Sequence, residues 1–233
     1  MRILVFSDVH GNIYALQELV KRMELIEFDK IVFCGDVFGY YYNQRDVFDM
    51  LKSMDNLIWI KGNHDDFFVK VFRGVMPLEK CIEKYGHSYE IAMSQFNLED
   101  VEFFDSLPSK YVIDNDGCRV GIFHGTPSDS LNGRLYPDNS VLSPDEYTDY
   151  DIVILGHTHC RMVRHVGETL VINSGSIGQP RDGAGFGYAL IDTNTKKVEF
   201  YNVNFDRKEL YNQIDEYDSN LTKLKEVIER GNK

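Results

Sequence analysis

Five apolar runs along this chain stop at short polar clusters. ILVFS leads to Asp8-Val9-His10, KIVFC to Gly35-Asp36, and LIWIK to Gly62-Asn63-His64-Asp65. VGIFH closes on His124-Gly125, and DIVIL leads to Gly156-His157-Thr158-His159. Unbroken apolar runs this short, rich in Ile, Val and Phe, predict buried strands. Between the first three runs the period changes. Leu16, Leu19, Val20 and Met23 share one face of a helix that follows His10-Gly11-Asn12, and Val47, Met50 and Leu51 share the inward face of a helix around 43–54. A β-α-β-α-β order predicts a mainly parallel sheet covered by helices, with the polar clusters at the carboxyl ends of its strands.

The pattern becomes helical between about 66 and 109, where Phe67, Phe68, Val71 and Phe72, then Ile82, Tyr85 and Tyr89, then Leu98, Val101, Phe104 and Leu107 recur at helical spacing. This stretch reads as a helical, cap-like insertion beside the site. From 110 the chain turns β-rich. Hairpins are predicted at 110–124 around Asn115-Asp116-Gly117, at 161–173 around Gly167, and at 186–203 around Thr193-Asn194. The layout predicts two sheets, the second largely antiparallel. From Asp206 to about Arg230 the stripe Leu210, Ile214, Tyr217, Leu221, Leu224 and Ile228 predicts one polar helix, packed on the parent domain or, as the alternative, on a second copy. No internal repeat or low-complexity linker divides the chain, so 1–233 reads as a single domain.

Composition changes this picture little but narrows the partners. With 43% hydrophobic and 27% charged residues, the chain has the make-up of an ordinary globular domain. Its net charge of −12 argues against bulk nucleic acid, whose binding depends on Lys and Arg meeting phosphates, and against an anionic membrane surface. A small phosphate ester is not excluded, because bound cations supply local positive charge. The N-terminus enters a strand at once, with no h-region or cleavage site, and no apolar run approaches the ~20 residues of a membrane span. Four scattered cysteines without C-x-x-C spacing fit reduced thiols. Together these features predict a cytoplasmic protein. Cys160, beside His159, reads as a small buried residue rather than a ligand.

The five clusters bring Asp, Asn and His side chains to one sheet edge, and that mixture of oxygen and imidazole donors suits a pair of divalent metals. In order, D-x-H, G-D, G-N-H-D, a lone His after a strand, and G-H-T-H resemble the calcineurin-like metallophosphoesterase superfamily, in particular its small bacterial and archaeal branch. The motifs run from Asp8 to His159, with a weaker match through Asn173-Ser174-Gly175-Ser176 to Gln179-Pro180-Arg181. The resemblance implies an α/β fold: a four-layer α/β/β/α sandwich of two mixed sheets flanked by helices. It also implies Asp8, His10, Asp36 and His159 around one metal ion and Asp36, Asn63, His124 and His157 around the other, with Asp36 bridging. The donors suit manganese first, with iron, nickel or zinc as alternatives, and the histidines argue against a purely oxygen-bound magnesium or calcium site.

By the same resemblance, a hydroxide bridging the metals attacks phosphorus, and His64 is the catalytic acid for the leaving group. The phosphatase branch places an Asp three residues after the bridging Asp to orient that histidine. Here the position is Gly39, and Asp65 is the nearest replacement in sequence, with helix capping as its other role. Asn12 and Arg181 are expected phosphate contacts. Tyr40-Tyr41-Tyr42 are candidates for stacking on a base or aryl group, or for core packing, and His87 and His165 match no motif. The expected activity is phosphodiester hydrolysis on a small phosphate ester or nucleotide-like substrate. Phosphomonoesterase or dinucleoside-polyphosphate hydrolase activity is an alternative, and a non-catalytic scaffold of the same fold is a further one. Whether the chain is a monomer or a homo-oligomer is open at this stage.

Overall fold

The computed structural model describes residues 1–139 and 144–230. The apolar runs form the strands they predict. In the first sheet, β1 (Arg2–Phe6), β2 (Lys30–Phe33) and β3 (Leu57–Trp59) lie parallel, connected by α1 (Ile13–Met23) and α2 (Gln44–Lys52). A helical block follows: α3 (Asn63–Phe72), α4 (Leu78–Tyr85), α5 (Ser88–Gln95) and α6 (Leu98–Ser106). The second sheet then takes β4 (Lys110–Asn115), β5 (Cys118–Phe123), β6 (Ile152–Leu155), β7 (Arg161–Val166) and β8 (Thr169–Ser174) in the order β4-β5-β6-β8-β7. Finally β9 (Phe186–Asp192) and β10 (Lys197–Val203) return to the first sheet, whose order is β10-β9-β1-β2-β3.

Both sheets are mixed. The second is less antiparallel than its hairpins suggested: β5, β6 and β8 run parallel in its middle, and only β4 and β7 are antiparallel edges. The third hairpin belongs to the first sheet, where β9 pairs antiparallel with β1. The burial of β9 explains this. Six of its seven residues are buried, as a strand covered on both faces requires.

The sheets pack face to face through Ile3, Val5, Val32 and Ile60 from one side and Val120, Ile122, Ile152, Ile154 and Ile172 from the other. The outer face of the first sheet carries the helices over Leu4, Phe6 and Phe33. Over the second sheet, among the described residues, Leu135 and the 3-10 turn Pro144–Tyr147 pack on Val153, Leu155 and Val171.

The insertion is not a loose cap. Phe38 stacks on Phe68 with ring centroids 3.8 Å apart, and Phe96 and Phe104 meet Phe38 edge-on. The helical block thereby shares the main core with the strand-end loop that carries Asp36. Its first helix begins at Asn63, inside a ligand motif.

The C-terminal segment differs from the single helix expected. It forms α7 (Lys208–Asp218) and α8 (Thr222–Arg230), with a turn at 219–221. Asp218, the last residue of α7, is buried and accepts hydrogen bonds from Tyr42 Oη (2.8 Å) and from the His87 backbone N–H (3.0 Å). That anchor fixes the end of α7, and Leu224 and Ile228 then bury on the core from a second helix.

Candidate metal centre

Parallel β1, β2 and β3 end at Asp8, Asp36 and Asn63, while β5 and β6 end at His124 and at His157 and His159. The carboxyl ends of the two sheets meet. Asp8, His10, Asp36 and His159 form one group of donor atoms lying within 4.8 Å of one another, and Asp36, His124 and His157 form a second, with Asp36 common to both. The Oδ1 of Asn63 lies 3.0 Å from Nε2 of His124. The structure thus brings together all seven residues expected to bind metal.

The local backbone is shaped around them. Among the described residues, nine non-glycine positions have left-handed φ, and five of these are Asp8, His10, Asp36, His157 and His159. Such conformations are uncommon outside glycine and concentrate at functional sites. Gly62 packs so tightly on Asp36 that a Cβ there would overlap the Asp36 carboxylate.

Hydrogen bonding orients the rings. Nδ1 of His10, His124 and His159 sits 2.6, 2.6 and 2.7 Å from the carbonyl oxygens of Phe38, Cys34 and Gln179. Donation there holds a proton on Nδ1 and turns Nε2 inward, the nitrogen that a metal-binding histidine offers. Two such nitrogens, of His10 and His159, then face each other at 3.1 Å. Each aspartate likewise holds one oxygen by a backbone N–H: Asp8 Oδ2 from His157 (3.2 Å) and Asp36 Oδ1 from His64 (2.8 Å). The other oxygens, Asp8 Oδ1 and Asp36 Oδ2, are buried without a hydrogen-bond partner. Facing lone pairs and orphaned carboxylate oxygens are costly unless a cation sits among them. The donor set therefore fits divalent metal.

The charges of the bare chain tell the same story. Burial raises the Asp8 and Asp36 carboxyls, but histidines outweigh it, led by His159 for Asp8 and His124 for Asp36, and both pKa values fall below the ordinary range. For His124 burial favours the neutral ring, yet Asp36 overrides it and pushes the pKa to about 9. That position attracts positive charge. Burial lowers His10 to about 3, against the pull of Asp36, and lowers His157 to about 4 with help from His124.

A cavity of about 300 Å³ opens onto this centre, lined by Asp36, Asn63, His64, His157 and His159 with Tyr40, Phe67, Tyr85, Lys84, Arg134 and Arg181. Arg181 lies in it, donating to Tyr40 Oη and Gln179 Oε1, each at 2.9 Å. Asn12 does not. Fully buried, it accepts from the Ala15 N–H at 3.2 Å as the cap of α1 and donates to the Gly178 carbonyl at 3.0 Å. Both ends of its amide are engaged in the scaffold, which corrects the expectation of a phosphate contact. Of the three tyrosines only Tyr40 reaches the cavity, since Tyr41 and Tyr42 are buried and bond to Leu224 and Asp218. Cys160 donates to the Thr158 carbonyl and belongs to neither donor group.

His64 lies in the same cavity and is 5% exposed. Burial holds its pKa well below the usual imidazole value, against the pull of Asp36. Asp65 does not touch its ring. That carboxylate accepts from the backbone N–H groups of Gly62 (2.9 Å), Asp36 (3.0 Å) and Val37 (2.8 Å), tying the start of α3 to the Asp36 loop. Burial and the neighbouring Asp36 charge raise its pKa to about 7 in spite of those three donors.

Sequence reasoning missed Arg134, Lys84 and the role of Tyr89. Arg134 and Lys84 stand in segments with no motif, and Tyr89 reads as one more apolar position on a helix. Arg134 donates from Nε to His157 Nε2 at 3.0 Å. A neutral imidazole has one lone pair, so that bond and metal ligation by His157 exclude each other. Ligation would release the guanidinium into the cavity.

Two mixed sheets packed face to face, with carboxylate, amide and imidazole donors gathered at their strand ends, define a metallophosphoesterase-type protein. A calcineurin-like phosphoesterase superfamily domain matches residues 1–196, and the chain belongs to that family. It is 28% identical to an uncharacterised protein of Methanocaldococcus jannaschii over 91% of both chains. It is 24% identical to a phosphodiesterase of the same organism over 75% of this chain and 83% of that one. Among solved structures, a metallophosphoesterase from Sphaerobacter thermophilus superposes with a TM-score of 0.77 at 25% identity, covering 99% of each chain.

Proposed function

We propose that this chain is a metal-dependent hydrolase of phosphate esters, with diesters as its first substrates. The observation that carries this reading is the pair of donor groups sharing Asp36, with orphaned oxygens inside and a cationic cavity outside. Asp8, His10, Asp36 and His159 would hold one ion, and Asp36, Asn63, His124 and His157 the other. Bound dications supply Lewis acidity, lowering the pKa of a shared water and polarising phosphoryl oxygens.

The remaining work falls to the chain's own side chains. Arg181 and Arg134 bond to Tyr40, Gln179 and His157 rather than to carboxylates, and Lys84 lies over the Tyr85 ring. In a protein of net charge −12, three such cations around one cavity make it a site for an anion, and arginine forks match phosphate oxygens. Phe67, Tyr40 and Tyr85 offer apolar surface to the organic part of the ester. Water supplies the new oxygen on phosphorus and one proton, which His64, neutral at rest, takes up at its free ring nitrogen and passes to the leaving oxygen as its bond to phosphorus breaks. The similarity to the M. jannaschii phosphodiesterase supports placing diesters before monoesters and dinucleoside polyphosphates. The expected metals are manganese, then iron, nickel and zinc, because imidazole-rich donor sets suit transition ions.

Chelated protein reconstituted with each ion and assayed on bis(p-nitrophenyl) phosphate, p-nitrophenyl phosphate and dinucleoside polyphosphates tests the reading. Metal-dependent turnover greatest on the diester is expected. No turnover on any of them by fully loaded protein would leave a binding scaffold as the better account.

A further inference from the structure

His64 needs a partner that fixes its ring, and the neighbouring loop does not supply one. Gly39 sits against the imidazole with φ +87°, and a Cβ on it would lie 2.5 Å from His64 Nδ1. The Asp65 carboxylate is committed to three backbone N–H groups. Instead, Nδ1 lies 2.8 Å from the hydroxyl of Tyr89, a fully buried residue near the start of α5. The same hydroxyl donates to the His64 carbonyl at 3.3 Å.

The phenol has one hydrogen to share between these two contacts; given to the carbonyl, it leaves the oxygen to accept from Nδ1–H. Burial pushes the Tyr89 pKa well above its ordinary value, so the hydroxyl keeps that hydrogen. In that arrangement the neutral ring carries its proton on Nδ1 and a lone pair on Nε2, and any second proton enters and leaves at Nε2. Tyr89 is itself held firmly. The carbonyl of its neighbour Ser88 accepts from Gln44 Nε2 at 3.2 Å, and His87 is bonded to Asp218 on α7.

We propose that Tyr89 is the positioning residue for His64, setting both ring orientation and tautomer, so that the helical insertion supplies part of the acid–base apparatus. This rests on the hydrolase reading above. Tyr89→Phe removes only the hydroxyl and keeps the ring's packing. In zinc-loaded protein labelled with ¹⁵N-histidine, the His64 ring, assigned with His64→Ala, should show the Nδ1–H pattern, and Tyr89→Phe should shift it towards Nε2–H. On an alkyl diester Tyr89→Phe should lower kcat about tenfold, the effect of losing one hydrogen bond to a charged group. KM and metal content should stay the same, the loss should be smaller for a nitrophenyl leaving group, and no further loss should appear in a His64→Ala background.

An Nε2–H ring in the unmodified protein, or a Tyr89→Phe effect that persists undiminished without His64, overturns the proposal. So does unchanged hydrolysis by an otherwise active Tyr89→Phe enzyme. If the unmodified protein hydrolyses no ester, the hydrolase reading fails instead, and the NMR comparison still decides whether Tyr89 sets the ring.

Discussion

At the scale of single residues the division of labour is sharp, and His64 tests it. Its neighbour Asn63 faces His124 while His64 itself lines the cavity outside both donor groups. His64→Ala should therefore retain metal, whereas His124→Ala and His157→Ala should lose it. General acid catalysis contributes roughly 10²–10⁴-fold, so turnover of an alkoxide ester should drop by that order and turnover of a nitrophenyl ester by much less. Equal losses on the two esters would indicate an electrostatic role, and loss of metal would make His64 a structural support. The seven donors were legible because each follows an apolar run, so strand prediction alone carried them to one edge. Asn12 was misread for the same reason: it follows the first donor pair, but the chain needs it as a helix cap, which proximity in sequence does not reveal. Tyr89 and Arg134 were illegible because their significance is a distance to residues far along the chain.

Among elements, the insertion and the C-terminal helices are joined through one buried carboxylate. His87 Nδ1 lies 2.7 Å from Asp218 Oδ1, and that hydrogen bond raises the His87 pKa above the ordinary 6.5. A histidine whose folded-state pKa is raised adds stability that is fully present below its unfolded pKa and is lost as pH rises through the folded value. The Tm gap between the unmodified protein and His87→Gln should be widest near about pH 5.5 and narrow towards about pH 9. A gap independent of pH would place the contribution in packing alone. The insertion itself should influence substrate choice through Phe67 and Tyr85, which line the cavity. Phe67→Ala and Tyr85→Ala should alter KM ratios across a panel of esters, and unchanged ratios would leave these helices a cover and a support for His64. Point substitutions suit this test, because Tyr89 and Phe96 of the same helices are part of the main core. Periodicity showed these helices plainly. It did not show the break at 219–221, because the stripe of Leu and Ile continues through it and only the anchored Asp218 stops α7.

For the whole molecule, two parallel strand sets end against each other, and the orphaned carboxylate oxygens of Asp8 and Asp36 lie at that seam. The sequence disclosed which residues meet there. It hid which sheet receives the last hairpin, since an alternating pattern does not name a strand's partner. No helix among the described residues is long and apolar enough to cross a membrane. The central claim is that two ions share Asp36 and that hydrolysis depends on both. The most direct measurement is a titration of chelated protein with manganese, with bound metal per chain by elemental analysis and diester turnover read on the same samples, for the unmodified protein and Asp36→Asn. Turnover should rise to a plateau at about two ions per chain, and Asp36→Asn, lacking the shared charge, should bind fewer and lose at least about 10²-fold in rate. Full turnover in metal-free protein, or an Asp36→Asn variant as active as its parent, would contradict the account.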